Sequence, residues 1–226
     1  SSSVELRNSM ILNSSALGIY TFNGIINAYN TLIADCGSLG VFIQLGGTYN
    51  FYHCTLSNIS AYYPGFYQND YKPRALPTVF FTNYYNWFDL DEDYRVYEVT
   101  YPKDLKVNFY NSIVYGIRPS EVYYDTLPRA DLDYRFDHCL LTMHEDSLSM
   151  FDSTRMISIL LNEDPLFIND SIALGDYDFT LQESSPAIDA GSAENIEGIW
   201  QVENDFIGNP RNSGSKPDLG AYESSE

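Results

Sequence analysis

One octet of alternating character recurs along the chain, seen most clearly in Val107-Asn108-Phe109-Tyr110-Asn111-Ser112-Ile113-Val114. Its first and third places are apolar, its fifth polar, its sixth small and its eighth aliphatic. The same octet begins at Val4 (VELRNSMI), Ile26 (INAYNTLI), Tyr49 (YNFYHCTL) and Tyr134 (YRFDHCLL). The fifth place is Asn8, Asn30, His53, Asn111 and His138, and the sixth is Ser9, Thr31, Cys54, Ser112 and Cys139. Alternation up to the fifth place, a break there, and alternation out of phase beyond it predict strand, corner, strand.

Spacing decides how the copies meet. Asn8 to Asn30 is 22 residues and Asn30 to His53 is 23, whereas His53 to Asn111 is 58 and Asn111 to His138 is 27. A period near 22 with insertions suits one turn of a parallel β-solenoid, whose neighbouring turns stack about 4.8 Å apart. Leucine-rich repeats have similar length, but their LxxLxLxxN signature is absent. Stacking places each fifth residue over its own copy. Asn8, Asn30, His53, Asn111 and His138 are therefore expected to form a side-chain ladder that satisfies otherwise buried polar groups.

A second apolar strand follows each corner, at Gly18–Thr21, Gly40–Ile43, Thr78–Phe81 and around Val122. Ile19, Val41 and Val122 each lie 11 residues after their ladder residue, but Val79 lies 26 after His53. The third copy thus carries insertions at about 60–76 and 84–104, and insertions on a regular scaffold are where function concentrates. The expected organisation is one domain over 1–226. Turns of the solenoid fill 1–141, an irregular stretch or short helix fills 142–163, and a last coil with its cap fills 164–226.

The repeat from Val4 to Leu141 resembles the right-handed parallel β-helix of the pectin-lyase-like superfamily. Three further motifs are similar to a segment that closes many secreted bacterial β-helix proteins. They are Ser185-Pro186-Ala187-Ile188-Asp189-Ala190-Gly191, Asp205-Phe206-Ile207-Gly208-Asn209-Pro210-Arg211, and Asp218-Leu219-Gly220-Ala221-Tyr222-Glu223. The resemblance implies an all-β solenoid, a secreted or surface location, and a terminating role for the last segment. Its charges, Asp189, Asp205, Arg211, Asp218 and Glu223, are expected to form an ion-pair and hydrogen-bond cap over the last coil.

Composition narrows the function classes. The chain holds 31 acidic and 12 basic residues, for a formal charge of −19. That field repels nucleic acid and anionic lipid, so neither is an expected partner. No apolar run is long enough to span a membrane. The three cysteines show no CxxC pattern, and Cys54 and Cys139 fall in one inward slot two copies apart, which reads as small buried apolar groups. The chain opens directly into the first octet, which reads as part of a longer secreted protein, expected to be monomeric.

With 20 Tyr, 13 Phe and 2 Trp, the chain carries more aromatic surface than its turns can hide. Tyr62, Tyr63, Phe66, Tyr67, Tyr71, Tyr84, Tyr85 and Trp87 cluster in the third-copy insertions. Flat rings with polar tips suit the C–H faces and hydroxyls of sugars, so carbohydrate binding there is the leading expectation. A polysaccharide lyase is the alternative that the resemblance implies, with Ca²⁺ neutralising a uronate and a Lys or Arg as base. Asp89, Asp91 and Asp93 would be the oxygen ligands for that cation, and Lys72, Arg74, Arg95 and Lys103 the candidate bases. Against it, Tyr94 stands where an EF-hand loop needs Gly. A plain surface stalk is the third reading.

Overall fold

The computed structural model of the chain describes residues 2–59, 62–64, 71–73, 76–170 and 177–224, with the backbone alone at 62–64 and 71–73. The chain is all-β. Among the described residues twelve strands form one sheet. Every pairing within it is parallel.

One face stacks β1 (Ser3–Arg7), the later half of β3 (Leu17–Tyr29), the later half of β5 (Leu39–Tyr52), β12 (Leu105–Tyr110) and β15 (Leu132–Leu141). The octet's third place falls in register across it as Leu6, Ala28, Phe51, Phe109 and Phe136. Past the corner, β2 (Met10–Leu12), β4 (Leu32–Ala34), β6 (Thr55–Asn58) and β13 (Ile113–Gly116) stack with the end of β15. The early half of β3 pairs with that of β5, β5 with β9 (Val79–Thr82) and β9 with β14 (Val122–Asp125), which aligns Ile19, Val41, Val79 and Val122. Those are the partners that the sequence offsets give. Strand order runs along one face, through the long β15, and back along the next, so the sheet curls round on itself as in a β-solenoid.

The corner explains the fifth place of the octet. Asn8, Asn30, His53, Asn111 and His138 all have positive φ, between 42° and 51°. A left-handed backbone costs most L residues roughly 1–2 kcal/mol, and Asn and His tolerate it best. Side-chain bonding along this corner is partial. Asn30 Nδ2 donates to Asn8 Oδ1 at 3.3 Å and Asn111 Nδ2 meets His53 Nε2 at 3.0 Å. A continuous amide ladder forms instead at the octet's second place, where Asn108 donates to Asn50 and Asn50 to Asn27, each at 2.8 Å. The ladder reading missed it because the outer copies carry Glu5 and Arg135 at that place.

The interior is a column of rings and aliphatics. Phe109 stacks between Phe51 at 4.4 Å and Phe136 at 5.2 Å, all three fully buried. Cys36, Cys54 and Cys139 are buried, and burial pushes the thiols of Cys54 and Cys139 up to about 12.

A further layer lies where the sequence predicts irregular chain or a short helix. One helical turn does form at Glu145–Leu148, but Met156–Leu161 is a strand, β16, stacked parallel on β15. Its corner residue is Ser158 (φ 50°), and Ile159 takes the slot that is small in the other copies. With both signature places changed, the repeat there is invisible to pattern matching.

Both third-copy insertions are antiparallel ribbons beside the solenoid. Tyr62–Pro64 (β7) pairs with Tyr71–Pro73 (β8), and Tyr84–Leu90 (β10) with Val96–Pro102 (β11). Phe167–Asn169 and Asp178–Leu181 form a separate antiparallel pair.

Candidate functional site

The ribbon Tyr84–Pro102 carries much of the exposed aromatic surface among the described residues. Antiparallel register puts Tyr85 opposite Tyr101, Trp87 opposite Val99, and Asp89 opposite Tyr97, so these six share one face. Trp87, Tyr97 and Tyr101 are each about half exposed, at 52%, 45% and 51%. The ribbon leans on the first copy of the repeat: Tyr85 meets Phe22 edge-on at 5.0 Å and Trp87 at 6.3 Å. Tyr84 Oη donates to Asp125 Oδ2 at 2.5 Å, tying the ribbon to β14 and pushing the Tyr84 phenol above its usual range. The ring surface is therefore shared between insertion and solenoid. Its solenoid part, Phe22 with the half-exposed Tyr20, was missed because outward aromatics on a regular strand read as ordinary alternation.

Tyr20 begins a second set of rings. Tyr20, Phe42, Phe80 and Tyr123 occupy one outward column on successive strands, with centroids 5.5, 5.5 and 5.9 Å apart. Beside them Gln44 Oε1 accepts a hydrogen bond from Tyr20 Oη at 2.8 Å. Of the other predicted sugar-facing residues, Phe66 and Tyr67 lie outside the described residues. For Tyr62, Tyr63 and Tyr71 the backbone ribbon alone is described.

Asp89, Asp91 and Asp93 do not converge. Asp91 Oδ1 accepts the backbone N–H groups of Asp93 and Arg95 and so closes the ribbon's turn, while Asp89 sits on the strand, and all three are exposed. Among the described residues no group of three His, Cys, Asp or Glu side chains is placed to hold a metal ion. Of the candidate bases, Arg95 is in that same exposed turn and Lys103 follows the ribbon's far end, whereas Arg74 lies outside the described residues and Lys72 is described by its backbone alone. No helix among the described residues is long and apolar enough to cross a membrane.

The charged residues of the C-terminal segment lie along the ladder corner rather than over the last coil. Asn8 Nδ2 donates to Phe206 O, Asn30 Nδ2 to Asn204 O, and Asn111 Nδ2 to Ser192 O, at 3.3, 2.7 and 2.9 Å. The Arg7 guanidinium stacks over Trp200, 4.3 Å from the ring centre. The fifth-place amides thus serve as docking points for a strap. Arg211 pins it, donating to Asn30 Oδ1 and Gly220 O at 2.9 Å and to Glu223 Oε2 at 3.2 Å. Asp205, Asp218 and Asp189 shape its turns by accepting backbone N–H groups, among them those of Asn209, Ser224 and Lys216. Burial lowers the Arg211 pKa, raises that of Glu223 to about 7, and with the nearby Arg211 charge holds His53 neutral.

His138, at the last ladder corner, donates its Nδ1–H to Asp137 Oδ1 at 2.7 Å, and the other carboxylate oxygen is bound by Arg135. Burial alone would raise the Asp137 pKa, but hydrogen bonds from Asn195, His138 and Arg135 outweigh it and hold the carboxyl below its usual range. A depressed folded-state pKa contributes stability that is present above the ordinary value and lost as pH falls through it. Asp137→Asn is accordingly expected to flatten the decline in Tm below about pH 4. Parallel melting profiles for the two proteins between about pH 5 and 3 would count against this assignment.

Comparison with protein families, with curated proteins and with solved structures finds no match for this chain.

Proposed function

We propose that this chain is a right-handed parallel β-helix of the pectin-lyase-like kind, secreted or held at a bacterial surface, and that it binds polysaccharide. The repeat and the terminating motifs support the family and the location. One observation carries the binding: Phe22, Tyr85 and Trp87 form a run of contacting rings where ribbon meets solenoid, with Phe22 and Trp87 about half exposed at its two ends. Sugars stack their C–H faces on such rings and hydrogen-bond through their hydroxyls. Asp125 and Gln44 lie among the rings as acceptors. A net charge of −19 favours neutral polymers over polyuronates.

Affinity electrophoresis through gels cast with neutral plant, host and microbial polysaccharides tests this. Retardation by at least one polymer is expected. It should fall about tenfold or more in Trp87→Ala and in Phe22→Ala, a loss of roughly 1.4 kcal/mol or more. Retardation that survives both substitutions would move binding away from this surface. Retardation on no gel would reject the proposal.

A further inference from the structure

The outward ring column has two unequal ends. Inside it, Phe42 and Phe80 lie nearly parallel, 7° apart at 5.5 Å, so each covers a face of the other and offers a ligand only its edge. A sugar needs a ring face. Tyr123 ends the column: among the described residues Phe80, tilted by 34°, is the ring it stacks on, and it remains 40% exposed. It opens into a pocket of about 400 Å³ that also holds Arg118, Pro119, Ser120, His144, Asp146 and Ser147. Small-molecule pockets start at about 300 Å³, so this one suits one or two sugar rings.

Its polar wall is already oriented. Ser120 Oγ donates to Ser147 Oγ at 2.8 Å, which leaves the Ser147 hydroxyl proton to donate elsewhere. His144 Nδ1 accepts the Asp146 N–H at 3.3 Å, so the neutral ring carries its proton on Nε2. That side chain is 57% exposed and the Asp146 carboxylate 96% exposed. Hydroxyl, imidazole and guanidinium donors, from Ser147, His144 and Arg118, and one carboxylate acceptor, Asp146, therefore line a pocket with one ring and two prolines, its two opposite charges balanced. This is the division a pyranose presents, with an apolar face and a rim of vicinal hydroxyls.

We propose that the Tyr123 pocket is a second sugar subsite, specific for a single neutral pyranose unit and separate from the Trp87 surface. It rests on the glycan reading above and names a distinct recognition element for it. The two surfaces lie at opposite ends of a column spanning three strand spacings, roughly 14 Å. A short glycoside can thus occupy the pocket without touching the ribbon.

Saturation-transfer NMR on the full chain, with methyl glycosides of glucose, galactose, mannose and N-acetylglucosamine as probes, separates the two sites. At least one glycoside is expected to give a signal that Trp87→Ala retains and Tyr123→Ala loses. Tyr123→Phe, which keeps the ring, should retain it. His144→Ala, on an exposed side chain, should weaken it about tenfold and guards against misfolding of the alanine variant. Polymer retardation that depends on Trp87, with no glycoside signal, would overturn the pocket and leave the ribbon surface standing. A glycoside signal unchanged in both Tyr123→Ala and His144→Ala would also overturn it.

Discussion

Arg211→Ala is expected to destabilise the protein by about 3–5 kcal/mol, the range for removing one partner of a buried ion pair. In a chain of this size that is a fall in Tm on the order of 10 °C. Arg211 and Glu223 are 2% and 1% exposed in their side chains, so bulk solvent does not reach the pair. The same guanidinium also bonds Asn30 and the Gly220 carbonyl, so its loss detaches the strap from the ladder corner. The deficit should depend on pH. Burial already raises the Glu223 pKa to about 7, and removing Arg211 takes away a charge that lowers it. Below that value the stranded acid can take up a proton, so the deficit should shrink towards about pH 5 and grow towards about pH 8. Arg211→Ala/Glu223→Gln should recover part of the loss at high pH. Denaturant titrations of both variants at the two pH values are the measurement. A deficit under about 1 kcal/mol at high pH would mean that the strap is held mainly by its backbone contacts.

Phe109→Ala should cost a similar amount, about 3–5 kcal/mol, for a different reason. Its ring is fully buried and stacked on both sides, by Phe51 at 4.4 Å and Phe136 at 5.2 Å. Deleting it opens a cavity between two layers, which the rigid strand spacing prevents from collapsing. In a stacked repeat each layer supports its neighbours, so the loss is expected to reach the layers on either side. Phe109→Leu, which refills much of the space, should cost clearly less. Urea titration of the pair distinguishes cavity from side-chain chemistry: equal losses in both variants would contradict the packing account.

Much of the scaffold can be read from the chain because a parallel stack repeats its constraints. The apolar first and third places, the small sixth place and the constant offset from Asn8 to Ile19 and Asn30 to Val41 all reflect one register, and the pairing Ile19–Val41–Val79–Val122 follows it even across an insertion. Where the constraint relaxes, the reading stops. Ser158 and Ile159 continue the corner without its signature, because the end of a stack no longer needs a small residue in its slot.

The candidate site was legible in kind but not in extent. An excess of aromatics in an insertion marks a ring surface on composition alone, and Trp87 and Tyr85 are on it. Phe22 and Tyr123 carry no such mark, since an outward aromatic on a regular strand looks the same whether its face is open or covered. Asp89, Asp91 and Asp93 illustrate the converse: their spacing is that of ligands, but the turn spends Asp91 on backbone N–H groups.

Periodicity in the chain determines the parallel sheet, its register and its corners, because local backbone preference and a repeated core act on every copy alike. The path of the C-terminal strap is decided only in three dimensions. Asn30 bonds Asn204 and Arg211 across more than 170 residues of chain, and no local pattern encodes a contact that exists only once both partners have folded.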